Sequence, residues 1–244
     1  MRKLHEHAGL IFSLIWIALY VILMSSADGI SESLGLSKCL TTPVSLLMSG
    51  FLFLWLHRNR LTAEYGLCKW QGKAKHYLFF LPLLLLASVN LWWGTSPQAA
   101  PAEMVFSVIS MVCVGFLEEI IFRGFLFKAL AKDDLKQAVI ISSLTFGSGH
   151  ILNLFTGNGT AATLIQVLYA TAAGFLFTIL FLRSGSLWPC IVAHSAVNAL
   201  SIFSPEELSL PLQLLSGGFL CVVSVGYAIY LLRRVPPSRN SQSR

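Results

Sequence analysis

The sequence predicts an all-α, polytopic integral membrane bundle of about eight transmembrane helices. Three observations predict it. The chain is 55% hydrophobic and 11% charged over 244 residues, whereas an ordinary soluble domain has about 25% charged residues. Its apolar residues gather into runs close to the roughly 20 residues that a helix needs to cross a bilayer. The lysines and arginines fall between those runs, on alternate loops, which is how orientation is set in a membrane.

Taken in order, the runs place helices at Gly9–Ala27, Cys39–Leu56, His76–Trp93, Ala102–Leu130, Gln137–Phe155, Thr160–Leu182, Ser186–Phe203 and Leu212–Leu232. Short loops join them, and no repeat or linker divides them, so residues 1–244 are read as a single membrane domain. The first run follows Arg2 and Lys3 and ends on Ser25-Ser26-Ala27, as a secretory signal peptide does. Its apolar stretch exceeds the usual length of about 7–15 residues, so it is read as a retained helix. Trp92, Trp93 and Trp188 sit near run ends, where indole rings anchor at the interface.

Of the 17 lysines and arginines, only Lys38 and Arg123 fail to fall on one face of this layout. Arg2 and Lys3 precede the first helix, and Arg58, Arg60, Lys69, Lys73 and Lys75 follow the second. Lys128, Lys132 and Lys136 follow the fourth, Arg183 the sixth, and Arg233, Arg234, Arg239 and Arg244 the eighth. The asymmetry predicts cytoplasmic termini and supports an even helix count. The net charge of +6 forms no stripe that could follow a phosphate backbone, so no nucleic-acid partner is expected. Cys39, Cys68, Cys113, Cys190 and Cys221 show no CxxC spacing and are read as apolar fillers.

Ionisable residues within a span are costly unless paired or hydrated, and they mark function. The fourth span carries Glu118-Glu119 and Arg123, with Glu119 and Arg123 at i,i+4 in the favourable acid-before-base order. That pair reads as structural support, with Glu118 pointing about 100° away along the helix. The fifth span carries Phe146 and His150 at i,i+4, separated by glycines that admit a close neighbour. The seventh carries His194 and Asn198, again on one face. Glu118, His194 and His150 lie ten, eleven and fourteen residues from the nearest basic loop residue, or about 15–21 Å at 1.5 Å per residue. Agreement in depth points to one pocket near the midplane.

These groups suit hydrolysis of an amide. A desolvated glutamate can take a proton from water, a histidine can orient that water, and a second histidine with an asparagine can stabilise the developing oxyanion. Glu118, His150 and His194 could equally hold Zn²⁺ with an open fourth position, although no HExxH motif is present. The residues leave the metal-dependent and glutamate-only routes both open. Ser195 is a weak nucleophile candidate, since it points away from its neighbour His194.

Glu-Glu-x-x-x-Arg at 118–123, Phe-x-x-x-His at 146–150 and His-x-x-x-Asn at 194–198, in that order on successive spans, resemble the CPBP intramembrane proteases. That family includes the type II CAAX prenyl endopeptidases and the bacteriocin-processing and immunity (Abi) proteins. The motif-bearing core covers about 104–201. The resemblance implies that Glu118 activates water with His150, that His194 and Asn198 form the oxyanion site, and that Glu119, Arg123 and Phe146 support them. It also implies a bacterial plasma-membrane setting and, as substrate, a peptide or a membrane-associated or prenylated protein. A non-enzymatic immunity or partner-binding protein is the main alternative on the same residues, and a proton-coupled transporter is a further one. Asn158-Gly159-Thr160 matches a glycosylation sequon and is read as a chance match.

Overall fold

A computed structural model describes residues 1–96, 100–156, 159–205 and 208–238; Asn158, Arg239 and Arg244 lie outside them. The described residues are helical, with no strand among them. A short α1 (Arg2–His7) leads into α2 (Gly9–Ser33) and α3 (Thr41–Arg58). After a loop come α4 (Leu81–Ser88) and α5 (Pro101–Glu118); α5 widens into a π-helix at Glu119–Leu126 and closes as α6 (Phe127–Leu130). The remaining helices are α7 (Leu135–Gly149), α8 (Thr160–Ser184), α9 (Trp188–Ser201) and α10 (Leu210–Arg234).

The outer surface is apolar, as a chain solvated by lipid requires. Leu47, Phe79, Phe155 and Val222 are each more than 70% exposed. In a water-soluble protein, large exposed apolar patches of this kind are rare. Together with the long apolar helices, they make this an integral membrane protein.

Among the described residues, six helical stretches are long and apolar enough to cross a bilayer on their own: Gly9–Ser33, Ala74–Leu91, Pro101–Leu130, Leu135–Phe155, Thr160–Ser184 and Leu210–Arg234. Two expected spans are absent from this set. The segment expected at Ser186–Phe203 is regular only over Trp188–Ser201, 14 residues, about 21 Å of helix against a hydrocarbon thickness of about 30 Å. Its start is fixed by the left-handed Gly185 (φ 68°) and by Pro189 in the first turn. The segment at Cys39–Leu56 forms α3, whose 18 residues include Thr41-Thr42-Pro43 at one end and His57-Arg58 at the other, which lower its hydropathy. The expected helix at His76–Trp93 is interrupted, because Leu78, Phe79 and Phe80 all adopt positive φ. Tyr77 is held within this break: its hydroxyl donates to the Arg183 carbonyl at 3.1 Å, and its carbonyl accepts from Tyr227 Oη at 2.9 Å.

Small residues decide how closely the motif-bearing helices approach. The helix α5 packs on α9 and α3, and α8 on α7 and α10. A Cβ on Gly115 of α5 would sit 2.7 Å from the backbone nitrogen of Ser195 on α9, and one on Gly147 of α7 would sit 2.9 Å from Thr171 Cα on α8. Bare backbone at Gly115 lets α5 and its carboxylates approach the imidazole on α9, and bare backbone at Gly147 lets α7 approach α8.

Candidate active site

The helix α5 brings two adjacent carboxylates to its end, and the π-helix takes over at Glu119. All eight residues of that π-helix are buried, and π segments recur at functional sites because they re-aim side chains that a regular helix would spread. Arg123 Nη1 donates to Glu119 Oε1 at 3.0 Å, and both side chains are 0% exposed. The pairing expected from the i,i+4 spacing is therefore present. The guanidinium also lies over the Phe146 ring, 4.0 Å from its centroid, with Phe177 at 5.6 Å. Its Nε and Nη2, and Glu119 Oε2, have no hydrogen-bond partner among the described residues, so aromatic faces supply much of what water would otherwise provide.

His194 joins the two carboxylates. Its Nδ1 lies 2.8 Å from Glu119 Oε1, and its Nε2 lies 3.5 Å from Glu118 Oε2. An ionised carboxylate only accepts, so the short contact places the proton on Nδ1 and leaves Nε2 to face Glu118. Glu118 and His194 were expected to share a pocket and they meet; that Glu119 also addresses the ring, from the opposite nitrogen, was not expected. The two differ in exposure, Glu119 at 0% and Glu118 at 14%.

Phe146 is the hub of the apolar part. Its ring meets His150 at 5.5 Å and His194 at 5.6 Å between centroids, both edge-on, and packs against Phe122 at 5.4 Å. His150 sits where α7 tightens into a 3₁₀ segment, and its Nδ1 is 3.2 Å from the Phe146 carbonyl. His150 thus flanks the site through Phe146, while Glu118 meets Tyr20 and His194. Asn198 is half-buried one turn beyond His194, and its side chain has no hydrogen-bond partner among the described residues. Ser195 donates its hydroxyl to the Val112 carbonyl at 3.0 Å, a contact between α9 and α5.

Tyr20 was not foreseen. From the middle of α2 it donates to Glu118 Oε1 at 2.6 Å, a short charge-assisted bond. The available signal was a buried phenol in an otherwise apolar span, since such a hydroxyl needs a partner. Nothing in the sequence said which one.

The metal set Glu118, His150 and His194 is not assembled. Among the described residues, no three His, Cys, Asp or Glu side chains converge on a point that could hold an ion. His194 has Nδ1 committed to Glu119, and His150 is turned toward the Phe146 carbonyl. In this arrangement the donors do not fit a metal.

Residues 100–200 match the family model described as type II CAAX prenyl endopeptidase Rce1-like. That stretch takes in nearly all of the motif-bearing core. A curated relative, "Putative membrane peptidase YdiL" of Bacillus subtilis (strain 168), is 33% identical over 130 residues, covering 50% of this chain and 48% of that protein. The chain thus spans about half the length of that relative. No solved structure matches it. The family expected from the three motifs is the family matched, and all three motifs lie within the Rce1-like stretch.

Proposed function

We propose that the chain is an intramembrane endopeptidase in which Glu118 activates water for attack on a peptide carbonyl. One observation carries the reading: a single imidazole is clamped between a sealed carboxylate, Glu119, and a partly open one, Glu118. The sealed side is neutralised by Arg123. The open side keeps an oxygen within reach of a reacting water, and its second oxygen is fixed by Tyr20.

In this mechanism Glu118 Oε2 takes a proton from water as the water oxygen bonds to the carbonyl carbon. Asn198, with His194 in its protonated form, donates to the oxyanion. Collapse of the tetrahedral adduct breaks the C–N bond, and the proton held by Glu118 passes to the leaving amine. Glu119 holds the proton on Nδ1 of His194 and fixes the ring, as a carboxylate does for a catalytic histidine. Phe146 sets the spacing of the two histidines and keeps that side dry. His150, on the far edge of Phe146, is assigned to orienting substrate or water.

The Rce1-like match and the membrane-peptidase relative support a peptide bond as the target, within a membrane-associated or prenylated protein or peptide. The basic loops support cytoplasmic termini, and the Bacillus subtilis relative supports a bacterial plasma membrane, with the chain acting as one membrane domain.

The test is to reconstitute the protein in vesicles and present a peptide library carrying prenylated and unprenylated members, with and without chelator. Cleavage by wild type and its loss in Glu118→Ala supports the reading. Undiminished hydrolysis by a folded Glu118→Ala variant refutes it.

A further inference from the structure

A large cavity lies away from the carboxylates, at the basic end of the bundle. It encloses about 1280 Å³, more than the roughly 300–1,000 Å³ of a usual small-ligand site. Its walls come from α2, α6, α7 and α8, with Phe12, Phe127 and Ile179 among the apolar side chains. Leu135 and Ile140 also line it while being 45% and 57% exposed, so the apolar wall runs out onto the lipid-facing surface.

The mouth has a different chemistry. Lys128, Lys132, Lys136 and Arg183 all line it, and among the described residues none is ion-paired with a carboxylate. Lys128 Nζ donates to the Glu64 carbonyl at 2.7 Å and Arg183 Nη2 to the Leu232 carbonyl at 3.1 Å. Arg183 Nε is buried with no partner among the described residues. The opposing charge is small. Glu64 is the acidic residue in the lining, and Asp133 and Asp134 adjoin Lys132 in sequence, with Asp134 accepting from the Gln137 backbone nitrogen at 2.9 Å. His5, also in the lining, has its pKa lowered by burial, which favours its neutral form.

We infer that this cavity binds an anionic phospholipid, its phosphate among Lys128, Lys132, Lys136 and Arg183 and an acyl chain in the apolar interior. Uncompensated basic side chains at a helix-lined mouth suit a lipid headgroup, and an apolar interior continuous with the lipid-facing surface suits its tail. A soluble anion would satisfy the first feature and leave the second without an occupant. The inference does not depend on the proteolytic reading, because it involves none of the residues around His194.

The test is native mass spectrometry of the full chain in detergent, titrated with phosphatidylglycerol or phosphatidylcholine. Lys132 and Lys136 are exposed, so K132Q/K136Q keeps the fold while removing two headgroup charges. K73Q/K75Q removes two exposed charges at the same end of the molecule but outside the cavity. The expected result is saturable phosphatidylglycerol binding, weakened about 30-fold in K132Q/K136Q at about fivefold per basic residue, and unchanged in K73Q/K75Q. Equal binding of phosphatidylcholine, equal loss in both double variants, or displacement of the lipid by soluble glycerol phosphate would overturn it.

Discussion

The floor and the rim of the site are built from the same few turns of helix but obey different rules. The floor is Glu119, Arg123 and Phe146, closed to solvent and held together by one ion pair and one ring face. The rim is Glu118, His150 and Asn198, each partly open, and His194 joins the two. A buried ion pair contributes little net stability, but removing one partner strands the other in a dry interior. A partly open carboxylate can be lost without that penalty. Floor substitutions should therefore unfold the protein, and rim substitutions should silence it.

The largest expected effect is on the floor. Arg123→Ala should destabilise the protein by about 3–5 kcal/mol by leaving the buried Glu119 without its guanidinium counter-charge, read as loss of monodisperse protein or a large drop in Tm in detergent. Glu119→Gln with Arg123→Met should recover much of that loss, because both charges are then gone. A Tm for Arg123→Ala equal to wild type would erase the distinction between floor and rim. His194→Ala comes next and should show both behaviours, with hydrolysis lost and Tm lowered, since its ring touches both carboxylates.

Tyr20→Phe probes the rim from outside the motif-bearing core. It removes one bond to Glu118 while keeping the ring in place, so about 1.5–3 kcal/mol is at stake. If that bond is made mainly to the reactive carboxylate, turnover should fall about 10–100-fold while Tm barely moves. An unchanged rate would remove Tyr20 from the rim.

The smallest effect lies outside both regions. His5, in contact with Tyr65, has a pKa held below its ordinary value of 6.5 by burial first, with Glu64 and Glu6 opposing and Lys132 adding to the shift. The fold favours its neutral ring, so this contribution is present above pH 6.5 and is lost as pH falls through and below that value. Wild type should lose slightly more Tm between pH 7.5 and 5 than His5→Gln. Identical profiles would show that His5 does not titrate between the two states.

Much of the floor was legible in the sequence, because i,i+4 spacing within one span and the cost of burying a charge both point to Glu119–Arg123. Less of the rim was. Agreement in depth brought Glu118 to His194, but helical geometry alone confined Glu119 to Arg123, whereas the His194 ring is wide enough to meet one glutamate at each nitrogen. The π-helix that begins between them has no sequence mark. Tyr20 was invisible as a site residue because its partner is 98 positions away, and apolar runs report that a span exists without reporting which faces meet. The same blindness hid the break at Leu78–Phe80 and the shortness of α9, since hydropathy does not register backbone handedness. The bundle itself was readable because lipid solvation is a property of composition.

The most direct measurement places Glu118→Gln and Glu119→Gln side by side in one preparation, with peptide hydrolysis and Tm read on the same samples. Glu118→Gln should retain a wild-type Tm and lose hydrolysis by about 10²–10⁴-fold, the usual worth of a general base. Glu119→Gln should lose both, because Arg123 is left unpaired. Equal losses of stability, or full hydrolysis by Glu118→Gln, would contradict the assignment of Glu118 as the reacting carboxylate and Glu119 as its support.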